Sequence, residues 1–236
     1  MRLPYLKLKQ LTKLKLLQYV QYFFFVGINW NWRIAFIILN QEMRGEKKYG
    51  INTTGADELK SLKAEGINIS HSTIYMPVTY KVIEDAFDKI NLKNHHHFLD
   101  IGCGKGRGLC VAAHRGFKKI TGIDFSKKFC EQATKNMGST KNKIPSVNYT
   151  LIVGDAAEFR IPDDVDCILL FNPFDKVIMQ IVSDNINKSL QLNPRDMNII
   201  YANPLYKNLF LEKRFSEIYH NKSYEYFEVS ILSFRH

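Results

Sequence analysis

The sequence predicts an α/β fold: a doubly wound, mostly parallel seven-stranded sheet with an antiparallel C-terminal hairpin and an N-terminal helical extension. Three observations predict it. Strand-like and helix-like segments alternate from residue 98 to residue 201, the pattern of a parallel sheet covered on both faces. A glycine-rich turn follows the first strand of that series. The last two strand-like runs are joined by a turn too short for a crossover, so they can pair only antiparallel.

In order, Phe98–Ile101 reads as the first buried strand, followed by a glycine turn and a helix through His114. Ile120–Ile123 is the second strand, and Ser126 is placed to cap a helix carrying Phe129, Cys130, Ala133 and Met137. Tyr149–Val153 and Val165–Phe171 are the third and fourth strands. Asp175 caps a helix with Ile178, Ile181, Val182 and Ile186, and Asn198–Tyr201 is the fifth strand. Phe215–Tyr219 and Tyr224–Phe234 form the terminal hairpin. Upstream, Val82, Ile83, Ala86, Phe87 and Ile90 make a helical stripe, with Pro77 suited to a first turn. Thr54 and Asp57 have the spacing of a capping box.

Charge divides the chain in two. Residues 1–48 hold nine Lys or Arg and two Glu, a net of +7, whereas residues 49–236 carry only +3 of the total +10. The expected organisation is therefore a basic, aromatic helical extension (1–48) and one domain (49–236). The weak charge of the domain argues against a nucleic-acid partner. Leu3, Leu11, Leu14 and Leu17 share a helical face, and the aromatic stretch Tyr22–Leu39 is interrupted by Asn29, Asn31 and Arg33. A spanning helix needs about 20 mostly apolar residues, and a signal peptide a small-residue cleavage site. Neither fits. Two readings of the extension stay open: a helix lying on a membrane surface, or a lid packed on the domain or on a second subunit. Four cysteines without a CxxC pair point to a reducing, cytoplasmic compartment, either free or peripheral at the inner face of a membrane. No metal is expected: neighbours in the run His95-His96-His97 point to opposite faces of a strand.

The chemistry is concentrated after the strands. Asp100 precedes Gly102, Cys103, Gly104, Lys105, Gly106. The last position of a dinucleotide fingerprint is occupied by Arg107, and a phosphate loop would need Ser or Thr after Lys105, so both of those motifs fail. Asp124 ends the second strand, either as a ribose-hydroxyl acceptor or as a helix-capping residue. Gly154-Asp155-Ala156 follows the third strand, a ligand contact or a surface turn. Asn172-Pro173-Phe174 follows the fourth, and Asn-Pro is also an ordinary turn dipeptide.

Together these segments resemble the Rossmann-like, class I S-adenosylmethionine-dependent methyltransferases. The resemblance covers roughly residues 75–236. It implies that Asp100 and the loop Gly102, Cys103, Gly104 and Gly106 pass beside the methionine part of S-adenosylmethionine. Asp124 would accept the ribose hydroxyls, Phe125 lie against adenine, Asp155 receive the adenine amino group, and the Ala156 amide reach the ring. Tyr75 and Thr79 would close over the methionine end. Asn172-Pro173-Phe174 is similar to the Asn-Pro-Pro-Tyr/Phe motif of enzymes that methylate amines and amides, one proline short. It implies that Asn172 holds the target nitrogen and that Phe174 packs over it. The expected activity is N-methylation of a protein or small-molecule amine or amide. Two alternatives remain: O-methylation of a lipid or quinone at the membrane surface, and a non-catalytic cofactor-binding module.

Overall fold

The computed structural model describes residues 3–55, 77–92, 96–171, 174–223 and 227–236. Seven strands form one sheet: β1 His97–Ile101, β2 Lys119–Asp124, β3 Asn148–Val153, β4 Cys167–Phe171, β5 Met197–Ala202, β6 Ser216–Ser223 and β7 Phe227–Phe234. Their order is β3-β2-β1-β4-β5-β7-β6. The first five are parallel, and β7 runs antiparallel to both β5 and β6. Strand order reverses between β1 and β4, the switch point at which open parallel sheets bind ligands.

The helices are α1 Leu3–Asn29, α2 Trp32–Tyr49, α3 Tyr80–Phe87, α4 Arg107–His114, α5 Lys127–Lys143, α6 Lys176–Leu192 and the short α7 Asn208–Leu211. Alternation along each strand separates two cores. Phe98, Ile120, Leu169 and Ile200 face α3, α4 and α5, whereas Leu99, Ile168, Ile199 and Tyr201 face α6 and α7. The expected caps form: Ser126 Oγ accepts from the Phe129 amide (3.3 Å), and Asp175 Oδ1 from the Ile178 amide (3.1 Å).

Two local expectations differ. Pro77 precedes α3, which starts at Tyr80 after extended Thr79. Ile90 and Val165 are buried but lie outside regular elements. Thr54 points its hydroxyl at Glu42 and Glu46, and Asp57, its partner in the expected capping box, lies outside the described residues.

The aromatic extension becomes a helical hairpin because Asn31 is an N-cap. Its extended backbone breaks the chain after α1, and its Oδ1 accepts from the Ile34 amide at 2.8 Å. Tyr22 and Val26 of α1, with Ile34, Ala35 and Ile38 of α2, form a third core closed by Phe227. Burying an aliphatic side chain of this size contributes about 1.5–3 kcal/mol.

The hairpin is locked to the domain by charge. Glu42 and Glu46, the two acids of residues 1–48, are one helical turn apart on the inner face of α2 and are buried. Glu42 pairs with buried Arg107, the first residue of α4, through both guanidinium Nη atoms, one at 2.7 Å. Arg107 also donates to the Val78 carbonyl (2.8 Å) and to Thr53 Oγ1 from Nε (2.9 Å) and Nη2 (2.8 Å). Each of its five N–H groups is thus engaged, as a buried guanidinium requires. The Tyr80 ring stacks 4.1 Å from its central carbon. That ring occupies the place of a side chain at Gly45, where a Cβ would fall 2.2 Å from it. Burial pushes the Glu46 carboxyl up, but hydrogen bonds from Tyr19, Thr54 and the Thr53 and Thr54 amides outweigh this and hold it below its ordinary value.

Removing one member of a buried pair leaves the other charge uncompensated, at a cost of about 3–5 kcal/mol. Glu42→Ala is therefore expected to lower the unfolding free energy by about that amount, measured by urea denaturation followed by circular dichroism. An unchanged midpoint would show that the pair does not secure the hairpin.

Candidate cofactor and methyl-acceptor site

The site is assembled at the carboxyl ends of β1, β2 and β3. Gly102, Gly104 and Gly106 have φ of 79°, 51° and 81°, the left-handed region where a Cβ is penalised. The turn they make is pinned to its neighbour strand: the Gly102 and Cys103 amides donate to the Ile123 carbonyl at 2.9 and 3.0 Å. The Gly104 amide donates to Asp124 Oδ2 at 2.8 Å. Asp124 Oδ1 accepts from the Ser126 amide at 2.9 Å, and the Asp124 carbonyl from the Gly154 amide at 3.0 Å. Asp124 therefore joins the segments after β1 and β3 to its own strand, while Ser126 serves as the helix cap.

Asp100, at the end of β1, is 5% exposed. It lies against Gly108, where a Cβ would sit 2.4 Å from its Oδ2, so this glycine makes room for the carboxyl group. Burial and the neighbouring Asp124 push Asp100 up to about 8. Burial likewise pushes Asp124 up to about 6, against the lowering effect of the Ser126 and Gly104 amides. Cys103 is buried next to Gly122, and its hydrogen bond with Cys130, together with burial, raises its thiol well above the ordinary range.

Beyond β3, Asp155 is exposed and its Oδ1 accepts from the Ala157 amide at 2.8 Å, while Ala156 is buried. Phe125 is half-buried beside Asp124. Two carboxylates at neighbouring strand ends, a glycine turn between them and an apolar wall at Ala156 suit a neutral, hydroxyl-rich nucleoside. The donor set fits S-adenosylmethionine. Asp124 can accept two hydroxyl hydrogens, Asp155 an amino group, and the loop permits close backbone approach.

The acceptor-side candidates are distributed differently. Phe171 ends β4, and Asn172, Pro173 and Tyr75 lie outside the described residues. Phe174 is buried in the core with Ala156 and Met179. Thr79 is buried and lines a crevice beside the extension. Among the described residues no cluster of His, Cys, Asp or Glu could hold a metal ion. His97 uses Nδ1 on Asp164 and Nε2 on Thr121, both at 2.8 Å.

Two supports of the loop escaped the sequence. Arg107 was visible only as a residue that spoils a dinucleotide motif. Asn136 of α5 donates to the Lys105 carbonyl (2.8 Å) and binds both backbone groups of Asn52 (3.0 Å each), tying the loop to the end of the extension.

Asp100 and Asp124 both titrate higher in the folded chain than in an open one. Their contribution is complete below the ordinary carboxylate range and is lost as pH rises through about 6 and then about 8. The ligand-free protein should melt at lower temperature at pH 8.5 than at pH 5, and Asp100→Asn should flatten the difference in a scanning-calorimetry pH series. Equal slopes for parent and variant would overturn this.

Residues 98–191 match the family model described as a methyltransferase domain. No curated protein sequence matches the chain. Among solved structures, yhhF of Escherichia coli, a methyltransferase by assignment, aligns with a TM-score of 0.51 at 16% identity, covering 68% of this chain and 92% of that one. StiE O-MT aligns at 0.50 and 12% identity, covering 65% and 72%. At such identities the likeness is one of fold. The match to the methyltransferase-domain model spans the glycine loop, Asp124 and Asp155.

Proposed function

We propose that the protein methylates a nitrogen acceptor, an amine or amide, held at the segment Asn172-Pro173-Phe174. The observation that carries this reading is the register of β4 on β1. Ile101 pairs with Leu170, so the chain leaving β4 emerges one strand from the glycine loop. Neighbouring strands lie about 4.8 Å apart, within reach of an in-line transfer.

S-adenosylmethionine, when bound, supplies a methyl group already activated on a sulfonium. The work left to the chain is positioning and desolvation. Asp124 holds the ribose hydroxyls, Asp155 and the Ala156 amide hold adenine, and Asp100 faces the methionine end. Asn172 accepts a hydrogen bond from the target N–H and aims its lone pair. The buried Phe174 ring anchors the chain two residues beyond Asn172. An amine reacts only when neutral, and apolar Phe171, next to Asn172 in the chain, disfavours the ammonium form.

The test pairs two variants. Calorimetric titration with S-adenosylmethionine should give micromolar affinity in the parent, lost in Asp124→Ala and retained in Asn172→Ala. Transfer of labelled methyl to amine-containing extracts should fall about 10²-fold in Asn172→Ala, the cost of a misplaced reacting group. Label recovered as methyl ethers would favour a hydroxyl acceptor, and cofactor binding without any transfer would favour a binding module.

We also propose that the extension meets an anionic lipid surface. Among the described residues, no helix is long and apolar enough to cross a membrane. The outer face of the hairpin nevertheless exposes Leu17, Val20, Phe24, Ile28, Trp32 and Phe36, continuous through the Phe24–Trp32 ring contact at 5.8 Å. Soluble monomers rarely expose so long an apolar stripe. Exposed Arg33, Arg44 and Lys47, with the +7 charge of residues 1–48, complement anionic headgroups. Co-sedimentation with phosphatidylglycerol vesicles should exceed that with phosphatidylcholine and be abolished by Phe24→Asp with Phe36→Asp. A stable dimer that buries the stripe and ignores vesicles would overturn the assignment.

A further inference from the structure

The chain leaving α2 runs beside the glycine loop. After the C-cap Gly50, residues 51–55 form a short strap. The Lys15 ammonium donates to the Ile51 carbonyl at 3.4 Å. Glu46 Oε1 accepts from the Thr53 and Thr54 amides at 2.6 and 2.7 Å, so the strap is tied to the extension. Asn136 of α5 ties it to the loop. Its Oδ1 accepts from the Asn52 amide (3.0 Å), and its Nδ2 donates to the carbonyls of Asn52 (3.0 Å) and Lys105 (2.8 Å). The oxygen and both N–H groups of this buried carboxamide are thus engaged.

The Lys105 carbonyl belongs to the peptide unit that ends in the Gly106 amide. That amide donates to the Cys103 carbonyl at 2.8 Å, inside the loop. The unit is therefore held at both ends, by the turn itself and by Asn136, and rotating it leaves a polar group unpaired. Packing cannot do this work. Gly106 carries no side chain, and a Cβ there would lie 3.0 Å from that of Ala133, one helical turn before Asn136. Hydrogen bonds must set the backbone instead. The surroundings are polar as well: Glu42, Glu46, Thr53, Thr54, Arg107 and Asn136 are all buried. Apolar side chains of similar volume would often give equal or greater stability. A satisfied polar network rigidifies its surroundings and specifies one arrangement.

We propose that Asn136 is a positioning residue for S-adenosylmethionine, holding the Lys105–Gly106 peptide in the orientation that the methionine end of the cofactor meets. Through Asn52 it makes affinity for that end depend on the docked extension. The inference rests on the reading above, which places the methionine part beside Gly102–Gly106 and the nucleoside on Asp124 and Asp155. Asn136 acts through the loop backbone and takes no part in the transfer itself.

The test separates the two ends of the cofactor by calorimetric titration of the full chain, at a temperature where circular dichroism shows each variant folded. 5′-Methylthioadenosine carries the nucleoside and lacks the amino-acid end. Asn136→Asp keeps the size and the acceptor of the side chain and removes its donors. It should weaken S-adenosylmethionine about three- to tenfold, the worth of one net hydrogen bond, and leave 5′-methylthioadenosine within about twofold of the parent. Asn136→Ala should do the same. In transfer assays KM for S-adenosylmethionine should rise by the same factor while kcat is unchanged, the pattern of lost uniform binding. Thr54→Val, which takes a hydroxyl from Glu42 and Glu46, should give the same selective loss, and combining it with Asn136→Ala should be less than additive. An Asn136 variant that melts earlier but binds both ligands as the parent does would make the residue purely structural and overturn the proposal. Equal weakening of both ligands would overturn it too. Additive effects of the two changes would overturn the dependence on the extension. A folded parent that binds neither ligand would instead overturn the cofactor placement on which the inference rests.

Discussion

The buried pair between Glu42 and Arg107 is the constraint on which the rest of the arrangement depends. Arg107 stands one residue beyond the last glycine of the cofactor loop, and Glu42 belongs to a helix more than sixty residues earlier. A buried guanidinium is tolerable only with its donors satisfied and its charge matched. Satisfying it brings together α2, Thr53, the Val78 carbonyl and Tyr80. The extension, the approach to α3 and the start of α4 are thereby brought to one place. The same knot that supports the loop on one side holds the extension over the sheet on the other.

Two regions at the carboxyl edge of the sheet have different physical characters, and this follows from where each is built. The candidate cofactor side is made of backbone and carboxylates at the ends of β1, β2 and β3. Its geometry comes largely from backbone bonds that any sequence with glycines at 102, 104 and 106 could make. The region under the extension is made of side chains from α1, α2, β4, β5 and β7. Its shape is set by helix packing, so it can change with a few substitutions in α1 or α2 while the glycine loop stays as it is.

Much of this was legible in the sequence, for identifiable reasons. Strands β1 to β5 carry the apolar runs that a doubly covered sheet requires, and Ser126 and Asp175 announce helices through local capping chemistry. The glycine loop and Asp124 are local signals too, each readable from a few neighbours. Pairings across long separations were not legible. Glu42 and Glu46 looked like two acids in a basic segment, although their spacing of four already placed them on one helical face. Asn31 looked like an interruption in an apolar stretch and is the cap that makes a hairpin of it. The surroundings of Thr79, between the sheet and the extension, are defined only once the hairpin has docked.

The order of these residues along the chain also bears on synthesis. α2 leaves the ribosome carrying two carboxylates whose native surroundings include a guanidinium not yet made. Until residue 107 has emerged, Glu42 has no reason to leave water, and the hairpin cannot settle into its final seat. The extension is thus translated before the domain it docks on and is among the last parts to be fixed. Its apolar stripe is accessible throughout that interval, when a nascent chain is most in need of something to cover it.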